Sequence, residues 1–246
     1  MARFSAESRW RAESACDRLT LCTVIGTTGG RGLAIPSTTG SAVTDDAIPR
    51  FLDHCHRKQV PPKATIIRQG DPSNDLYYII NGSVTVCLED DEGREIVLAY
   101  LNAGDFFGEI GLFHEQANRS ALVRSRTACE IAHISYEKLK NMPSIFPDLV
   151  FAIASQLAMR LRKTNRKVGD LAFLDVSGRV ARALLDLCNE PDAMTHPDGM
   201  QIRITRQELG RIVGCSREMV GRVLKALEEQ HLLSAKGKTI VVYGVR

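Results

Sequence analysis

The stretch TRQELGRIVGCSREMVGRVLK, residues 205 to 225, specifies the architecture of the C-terminal part of the chain. Thr205 and Glu208 have the spacing of a capping box, in which the threonine hydroxyl accepts from the first helical turn and the glutamate reaches back to its start. Gly214 interrupts the helical pattern, and Ser216 can cap a second helix directly after it. Two short helices joined by a glycine-containing turn predict a helix-turn-helix, whose second helix lies in the major groove of DNA.

The second helix of this motif carries side chains that suit the edges of DNA bases. Arg217, Glu218 and Arg222 are expected on its outer face. Arginine can pair with O6 and N7 of guanine, and glutamate can accept from the amino group of cytosine. A glutamate would repel the phosphates, so this trio favours base recognition over the alternative, a winged helix that docks on protein. Residues 203–225 carry six basic and two acidic side chains, a net charge of +4 that suits a phosphate backbone.

Residues 63 to 136 have the pattern of a β domain. Short segments rich in β-branched or aromatic residues alternate with turn signals such as Asn81-Gly82. The segments are Ala64–Gln69, Leu76–Ile80, Ser83–Leu88 and Glu95–Leu101. Many short strands at close spacing indicate a barrel or a sandwich, and we expect a β jelly roll.

A candidate ligand motif, FGEIGLF, spans residues 107 to 113 and precedes Arg119-Ser120. Glycine beside a carboxylate lets the backbone approach a small molecule closely, and Glu109 can accept from a hydroxyl group. The guanidinium of Arg119 offers a fork suited to phosphate. Together these groups fit a ribose cyclic phosphate, although the spacing alone is equally compatible with a turn and a surface ion pair.

A long helix is predicted from Phe146 to about Phe173. Apolar residues recur at alternating spacings of four and three, the period of a heptad seam: Val150, Ala154, Leu157, Leu161, Thr164, Val168 and Leu171. Such a seam predicts pairing with the same helix of a second chain, because mostly basic residues lie between its members. The alternative is that the stripe packs on its own barrel.

The composition is that of an ordinary globular protein, with 44% hydrophobic and 25% charged residues among 246. The seven cysteines form no C-x-x-C pair, so neither a disulfide framework nor a metal site is expected. There is no apolar run of about 20 residues and no signal peptide, so we expect a cytoplasmic protein without membrane contact. No catalytic constellation has a plausible spacing, so we expect no enzyme. Residues 1–46 are expected to form a disordered extension.

From Phe51 to Arg246 the chain resembles the cyclic AMP receptor protein (catabolite activator protein) family and its virulence factor regulator branch. The resemblance is carried by GDFFGEIGLF, KVGDLAFLDVSGRVAR, the segment PDAMTHPDGMQIRITRQELGRIVGCSREMVGRVLK, and GKTIVVYG. It implies an α+β fold: an N-terminal cyclic-nucleotide-binding β jelly roll (47–145), a long dimerisation helix (146–173) and a C-terminal winged helix-turn-helix (174–246).

The resemblance also implies site residues and partners. Cyclic AMP, the allosteric effector, would contact Gly108, Glu109, Ile110, Arg119, Ser120, Arg160, Thr164 and Asn165, the last standing where the family has serine. Double-stranded DNA would contact Arg206, Gln207, Ser216, Arg217, Glu218, Arg222 and Lys225. RNA polymerase would contact His56, Lys58, Lys138, Ala193, Thr195, His196 and Gly199. The protein would be a homodimeric regulator, mainly an activator, on palindromic operators.

Two alternatives keep the DNA-binding role and change the signal. The first is control by cyclic di-GMP, although the branch that uses it tends to lose the pair retained here as Arg119-Ser120. The second is an iron–sulfur redox sensor, for which Cys16, Cys22, Cys129 and Cys55 are conceivable ligands. The close cysteine pair usual for such clusters is missing, which disfavours this alternative.

Overall fold

The computed structural model describes residues 47–114, 118–142 and 146–245. The extension expected at residues 1–46 therefore lies outside the described residues. Among the described residues, no helix combines the length and the apolar character needed to cross a lipid bilayer.

The N-terminal domain is a β-barrel of two antiparallel sheets, as the sequence predicts. One sheet has the strand order β1-β8-β3-β6 and the other β2-β7-β4-β5. The strands are β1 (His56–Val60), β2 (Thr65–Ile67), β3 (Asp75–Asn81), β4 (Ser83–Glu89), β5 (Glu95–Asn102), β6 (Phe106–Phe107), β7 (Leu122–Ser125) and β8 (Cys129–Ser135). Three short helices accompany them: α1 (Ala47–Leu52), α2 (Ile110–Phe113) and α3 (Tyr136–Lys140).

Strand β1 begins before Lys63, where the β pattern was expected to start. Four of its five residues, HRKQV, are exposed and only Val60 is buried, so the strand has no apolar alternation that could predict it. It forms because all five residues pair with strand β8, from His56 opposite His133 to Val60 opposite Cys129. The pairing partner, rather than local sequence, makes this segment a strand.

Helix α4 (Phe146–Phe173) has the bounds expected for the long helix. Its first turns pack on the barrel through Leu149, Ala152 and Ile153, in one cluster with Phe51 and other core residues. Farther along, the helix leaves the barrel core and carries large apolar side chains exposed to solvent: Leu161, Val168 and Leu171, together with Met159 and Phe173. Phe151, in the first turns, is also exposed.

The C-terminal domain has three helices and a four-stranded antiparallel sheet in the order β11-β12-β10-β9. Its elements are α5 (Val176–Cys188), β9 (Met194–His196), β10 (Gly199–Arg203), α6 (Arg206–Val213), α7 (Arg217–Glu229), β11 (Leu233–Lys236) and β12 (Thr239–Tyr243). Apolar faces of the helices and of the sheet enclose one core, which includes Leu184, Leu209, Val220 and Ile240. This is the predicted winged helix-turn-helix, and with the barrel it confirms the α+β fold.

The segment from Glu190 to Gly199 contains the turn-forming residues Pro191 and Pro197, yet part of it is a strand. Strand β9 pairs with β10, with His196 opposite Gly199. A Cβ at Gly199 would lie 2.0 Å from the carbonyl oxygen of Val242 on strand β12. The pairing of β10 with β12 therefore requires glycine at this position.

The turn between α6 and α7 follows the expected capping chemistry with one correction. Thr205 accepts from the backbone of Glu208 at 3.1 Å, and Ser216 accepts from the backbone of Met219 at 3.2 Å. Gly214 ends the first helix in the left-handed conformation, with φ of 72°. The expected return contact from Glu208 to the helix start is wrong, because its carboxylate instead accepts from the hydroxyl of Tyr100 in the barrel, at 3.0 Å.

Candidate functional site

Arg119 is a buried cation whose polar contacts are uncharged. Only 8% of it is exposed. Its Nη1 donates to Gly108 O at 3.1 Å and to Tyr136 Oη at 3.2 Å, and its Nη2 donates to Asp75 O at 2.9 Å. The guanidinium carbon lies 5.4 Å from the ring centre of Tyr77. No carboxylate of the described residues forms an ion pair with it. A buried charge without a counter-charge is costly, and an anionic ligand would remove that cost.

Gly108 lies directly against the side chain of Arg119. It has a φ of 76°, and a Cβ there would lie 2.6 Å from Nη1 of Arg119 and 3.1 Å from the ring of Tyr77. Both the backbone conformation and the available space therefore demand glycine. The first glycine of the FGEIGLF motif lets the backbone lie directly against the guanidinium.

Glu109, the next residue, joins the barrel to helix α4. Its side chain is buried, and Oε1 accepts from Nη1 of Arg160 at 3.1 Å. The second nitrogen of Arg160 donates to Phe106 O and, at 3.2 Å, to the side chain of Gln156. The structure thus brings three expected ligand residues, Gly108, Glu109 and Arg160, together beside Arg119, which we call the arginine clamp.

The remaining expected ligand residues are exposed. Ile110 and Ser120 lie on either side of the buried groups, at the start of α2 and just after Arg119. Thr164 and Asn165 lie about one turn beyond Arg160 on α4, and both are exposed in the single chain. The exposed polar side chains of this set are therefore Ser120 on the barrel and Thr164 and Asn165 on helix α4.

The outer face of helix α7 is open. Arg217, Glu218, Arg222 and Lys225 are exposed, whereas Val220 and neighbouring apolar residues are buried beneath them. Arg206, Gln207 and Ser216 are also exposed, at the starts of α6 and α7. The sequence prediction of which residues face outward on this helix agrees with the structure.

Glu218 is held in its charged form. Hydrogen bonds from its own backbone N–H and from the Ser216 side chain hold the pKa of this carboxyl below its usual range, and Arg217 and Arg222 lower it further. A carboxylate is acceptor-only, so Glu218 can accept from a donor such as an amino group. The face of α7 therefore offers one acceptor between basic side chains.

The residues expected to meet RNA polymerase form two groups. His56 and Lys58 are exposed on β1, and Lys138 lies at the neighbouring helix α3, where its Nζ donates to His54 O at 2.9 Å. The second group lies around the β9–β10 hairpin: Ala193, Thr195, His196 and Gly199. Thr195 is exposed, whereas Gly199 is buried against β12.

Sequence reasoning missed the polar contacts between the barrel and the helix-turn-helix. Glu95 on β5 is paired with Arg124 at 3.1 Å and with Arg211 of helix α6 at 2.8 Å. Beside them lies the hydrogen bond from Tyr100 to Glu208. The bond joins residues 108 positions apart, so no local signal could have revealed it.

Strand β5 is also bound to helix α4 by a half-buried lysine. The Nζ of Lys167 donates to Leu98 O at 2.8 Å, where a register shift against β4 interrupts the ladder. Burial lowers the pKa of Lys167. The same strand therefore contacts the long helix and, through Glu95 and Tyr100, the C-terminal domain.

Within the described ranges, no group of three or more His, Cys, Asp or Glu side chains is arranged to hold a metal ion. Of the four cysteines considered for an iron–sulfur cluster, Cys16 and Cys22 lie outside these ranges. Cys129 is buried and donates to Ser83 O at 3.2 Å, and burial raises the pKa of Cys55 to about 12. The raised pKa of Cys55 disfavours the thiolate form that binds a metal.

Comparison with known proteins identifies both domains. The model of the cyclic nucleotide-binding domain matches residues 57–144, and the model of the Crp-like helix-turn-helix domain matches residues 178–243. The chain is 58% identical over 207 residues to the cAMP-activated global transcriptional regulator CRP of Salmonella typhimurium, covering 84% of this chain and 99% of that protein. It is 61% identical over 202 residues to the cAMP-activated global transcriptional regulator Vfr of Pseudomonas aeruginosa, covering 81% and 94%.

Among solved structures, the chain is similar to the c-di-GMP responsive global regulator CLP of Xanthomonas campestris. The TM-score is 0.78 at 51% identity, covering 82% of this chain and 100% of that one. The sequence resemblance and the fold class that it implies are thereby confirmed. The chain belongs to the family of transcriptional regulators that includes CRP and Vfr.

Proposed function

We propose that this protein is a cyclic-AMP-responsive transcription regulator, mainly an activator, that binds palindromic operator DNA as a homodimer. The observation that carries the proposal is the arrangement of Arg119, a buried cation whose partners among the described residues are uncharged, beside the buried carboxylate of Glu109. A ribose cyclic phosphate has the matching groups, one anion and one hydroxyl.

The ligand would be bound from both the barrel and the long helix. Arg119 would bind the cyclic phosphate, and Glu109 would accept from the ribose hydroxyl, while Ile110 and Ser120 would flank it. Arg160 would hold Glu109 in place through the ion pair already present. Thr164 and Asn165 would meet the adenine, where the Asn165 amide can accept from the exocyclic amino group.

The homodimer would form along the exposed part of helix α4. Leu161 is 61% exposed although it is a large apolar residue, and Val168 and Leu171 extend the same stripe at heptad spacing. Burial of such residues against a second copy would remove this apolar surface from water. It would also place Thr164 and Asn165 at the seam, where the bound nucleotide could change the packing of the two helices.

DNA recognition would use the exposed face of helix α7. Arg217 and Arg222 would read guanines and Glu218 a cytosine, while Arg206, Gln207 and Lys225 would bind phosphates and Ser216 would contact the backbone beside the helix start. As in other helix-turn-helix dimers of this family, we expect half-sites about one helical turn apart. The bacterial relatives imply that the operator, and hence the protein, lies in the cytoplasm.

Transcription activation would use the two remaining groups of residues as contacts for RNA polymerase. One is the exposed patch of His56, Lys58 and Lys138, and the other is the β9–β10 hairpin with the exposed Thr195 and the half-buried Ala193 and His196. The buried Gly199 would act there only through the shape of the hairpin. We assign these roles to three domains, 47–145, 146–173 and 174–246, the middle one being the dimerisation helix.

Calorimetric titration of the purified protein with cyclic AMP, and separately with cyclic di-GMP, tests the ligand assignment. We expect one cyclic AMP to bind per barrel and cyclic di-GMP to bind much more weakly. Preferential binding of cyclic di-GMP would contradict the proposed effector and leave the DNA-binding role intact. Sedimentation of the same samples tests the dimer.

A further inference from the structure

Tyr136 contacts both Gly108 and Arg119 in the candidate ligand site. It is buried at the start of helix α3, directly after strand β8. Its hydroxyl contacts Gly108 O, Nη1 of Arg119 at 3.2 Å and Oγ of Ser73 at 2.9 Å. One phenol group therefore touches both the glycine and the arginine of the site.

The direction of these hydrogen bonds follows from the available protons. A carbonyl oxygen can only accept, so the single Tyr136 proton is donated to Gly108 O. The guanidinium of Arg119 can only donate, so the phenol oxygen accepts from it. The remaining lone pair accepts from Ser73, whose hydroxyl is thereby the donor. Each proton and acceptor of the group is used, so the Tyr136 hydroxyl has one orientation.

The second glycine of the FGEIGLF motif makes room for this pair of hydroxyl groups. A Cβ on Gly111 would lie 2.3 Å from Oγ of Ser73 and 3.0 Å from Cε2 of Tyr136. Gly111 lies inside helix α2 with an ordinary helical conformation, so the requirement is for space. The motif thus contains two glycines that make room for other side chains: Gly108 for Arg119, and Gly111 for Ser73 and Tyr136.

The loop that carries Ser73 also holds the backbone of the arginine. Gly70 donates its N–H to Arg119 O at 2.8 Å, and Arg119 donates its own N–H to Asp71 O at 2.8 Å. The backbone of the clamp is therefore attached to the loop directly, and its side chain is attached through Tyr136 and Ser73.

We propose that Tyr136, oriented by Ser73, is a positioning residue that aims the Arg119 guanidinium at the cyclic phosphate. The proposal rests on the proposed function of the site. Tyr136 itself would not contact the phosphate. If the Tyr136 hydroxyl is removed, Arg119 keeps its hydrogen bonds to the carbonyl groups of Gly108 and Asp75, but its Nη1 loses one of its two partners.

The test compares cyclic AMP affinity in variants that each remove one hydroxyl group. Tyr136→Phe keeps the ring in the core, and we expect it to weaken binding about tenfold, the effect of one lost hydrogen bond to a charged group. Ser73→Ala should have a smaller effect in the same direction. Tyr78→Phe is the matched control. Tyr78 lies on the face of strand β3 opposite to Tyr77, the residue that contacts Arg119, and it packs on Phe51 and Phe106. This variant should bind like the wild type.

Adenosine, which lacks the phosphate, separates positioning of Arg119 from general damage to the site. Its affinity, measured by competition, should be the same in Tyr136→Phe and in the wild type. Equal weakening of adenosine and cyclic AMP would overturn the proposal, as would wild-type affinity of Tyr136→Phe for cyclic AMP. Failure of the wild-type protein to bind cyclic AMP would overturn the proposed function as well.

Discussion

Replacing Arg119 by leucine should abolish measurable cyclic AMP binding. The side chain is almost fully buried, and its polar partners are two carbonyl groups and a phenol. A bound cyclic phosphate would therefore depend on this one cation for charge neutralisation in a desolvated site. Truncation of one member of such a pair costs roughly 2–5 kcal/mol, a loss of about 30- to 4,000-fold in affinity.

The same substitution should leave the ligand-free protein nearly as stable as before. It removes the hydrogen bonds of Arg119, but it also removes a buried charge that has no ion-pair partner in the described part of the chain. These effects oppose each other, so we expect the free energy of unfolding to change by no more than about 1 kcal/mol. A binding defect would then not reflect a folding defect.

Thermal unfolding measures both effects in one assay. At a ligand concentration of about 100 Kd, binding stabilises the wild type by about 2.7 kcal/mol, which raises Tm by roughly 5–10 °C in a protein of this size. Arg119→Leu should show no such rise at the same concentration. Arg68→Leu, which alters an exposed arginine in the loop before Gly70, is the control and should respond normally. A full rise in the Arg119 variant would refute the assignment of the clamp.

Three further predictions concern the other proposed surfaces. Leu161→Glu should convert the dimer to a monomer in sedimentation velocity, whereas Met159→Glu, at a position 58% exposed on the same helix but outside the seam, should not. Arg222→Ala should lose about 1–3 kcal/mol of operator affinity and relax the preference at one base pair. Lys225→Ala should instead weaken binding to all DNA sequences alike and flatten the salt dependence. If the two variants showed the same change in preference among mutated operators, these roles would be contradicted. Arg211→Ala, which breaks the 2.8 Å pair with Glu95 of the barrel, should lower the free energy of unfolding by about 1 kcal/mol at low salt and by less at high salt. Unchanged thermal unfolding would contradict a stabilising role for this contact.

Local sequence signals were sufficient where the structure follows from local chemistry. Thr205, Gly214 and Ser216 place the ends of two helices because caps and left-handed turns involve neighbouring residues only. The heptad pattern predicted helix α4 for the same reason. The ligand motif pointed to Arg119 and Glu109 by their chemistry, while Arg160 entered only through resemblance to the family.

Features that depend on distant partners could not be predicted. Strand β1 exists because it pairs with β8, about 75 residues later, and its own residues are mostly polar and exposed. Glu208 fits a capping box by sequence, yet Tyr100 competes successfully for its carboxylate. The role of Tyr136 likewise depends on Ser73 and Gly111, which only the folded barrel brings together.

Operator binding by the full chain, measured by fluorescence anisotropy at one fixed salt concentration with and without saturating cyclic AMP, tests directly whether the nucleotide controls DNA binding. We predict that cyclic AMP tightens binding at least about fivefold, within the usual range of allosteric coupling. Arg119→Leu should remove this response while still binding DNA as weakly as the ligand-free wild type. Equal operator affinity of the wild type in both conditions would contradict the claim that the nucleotide controls DNA binding.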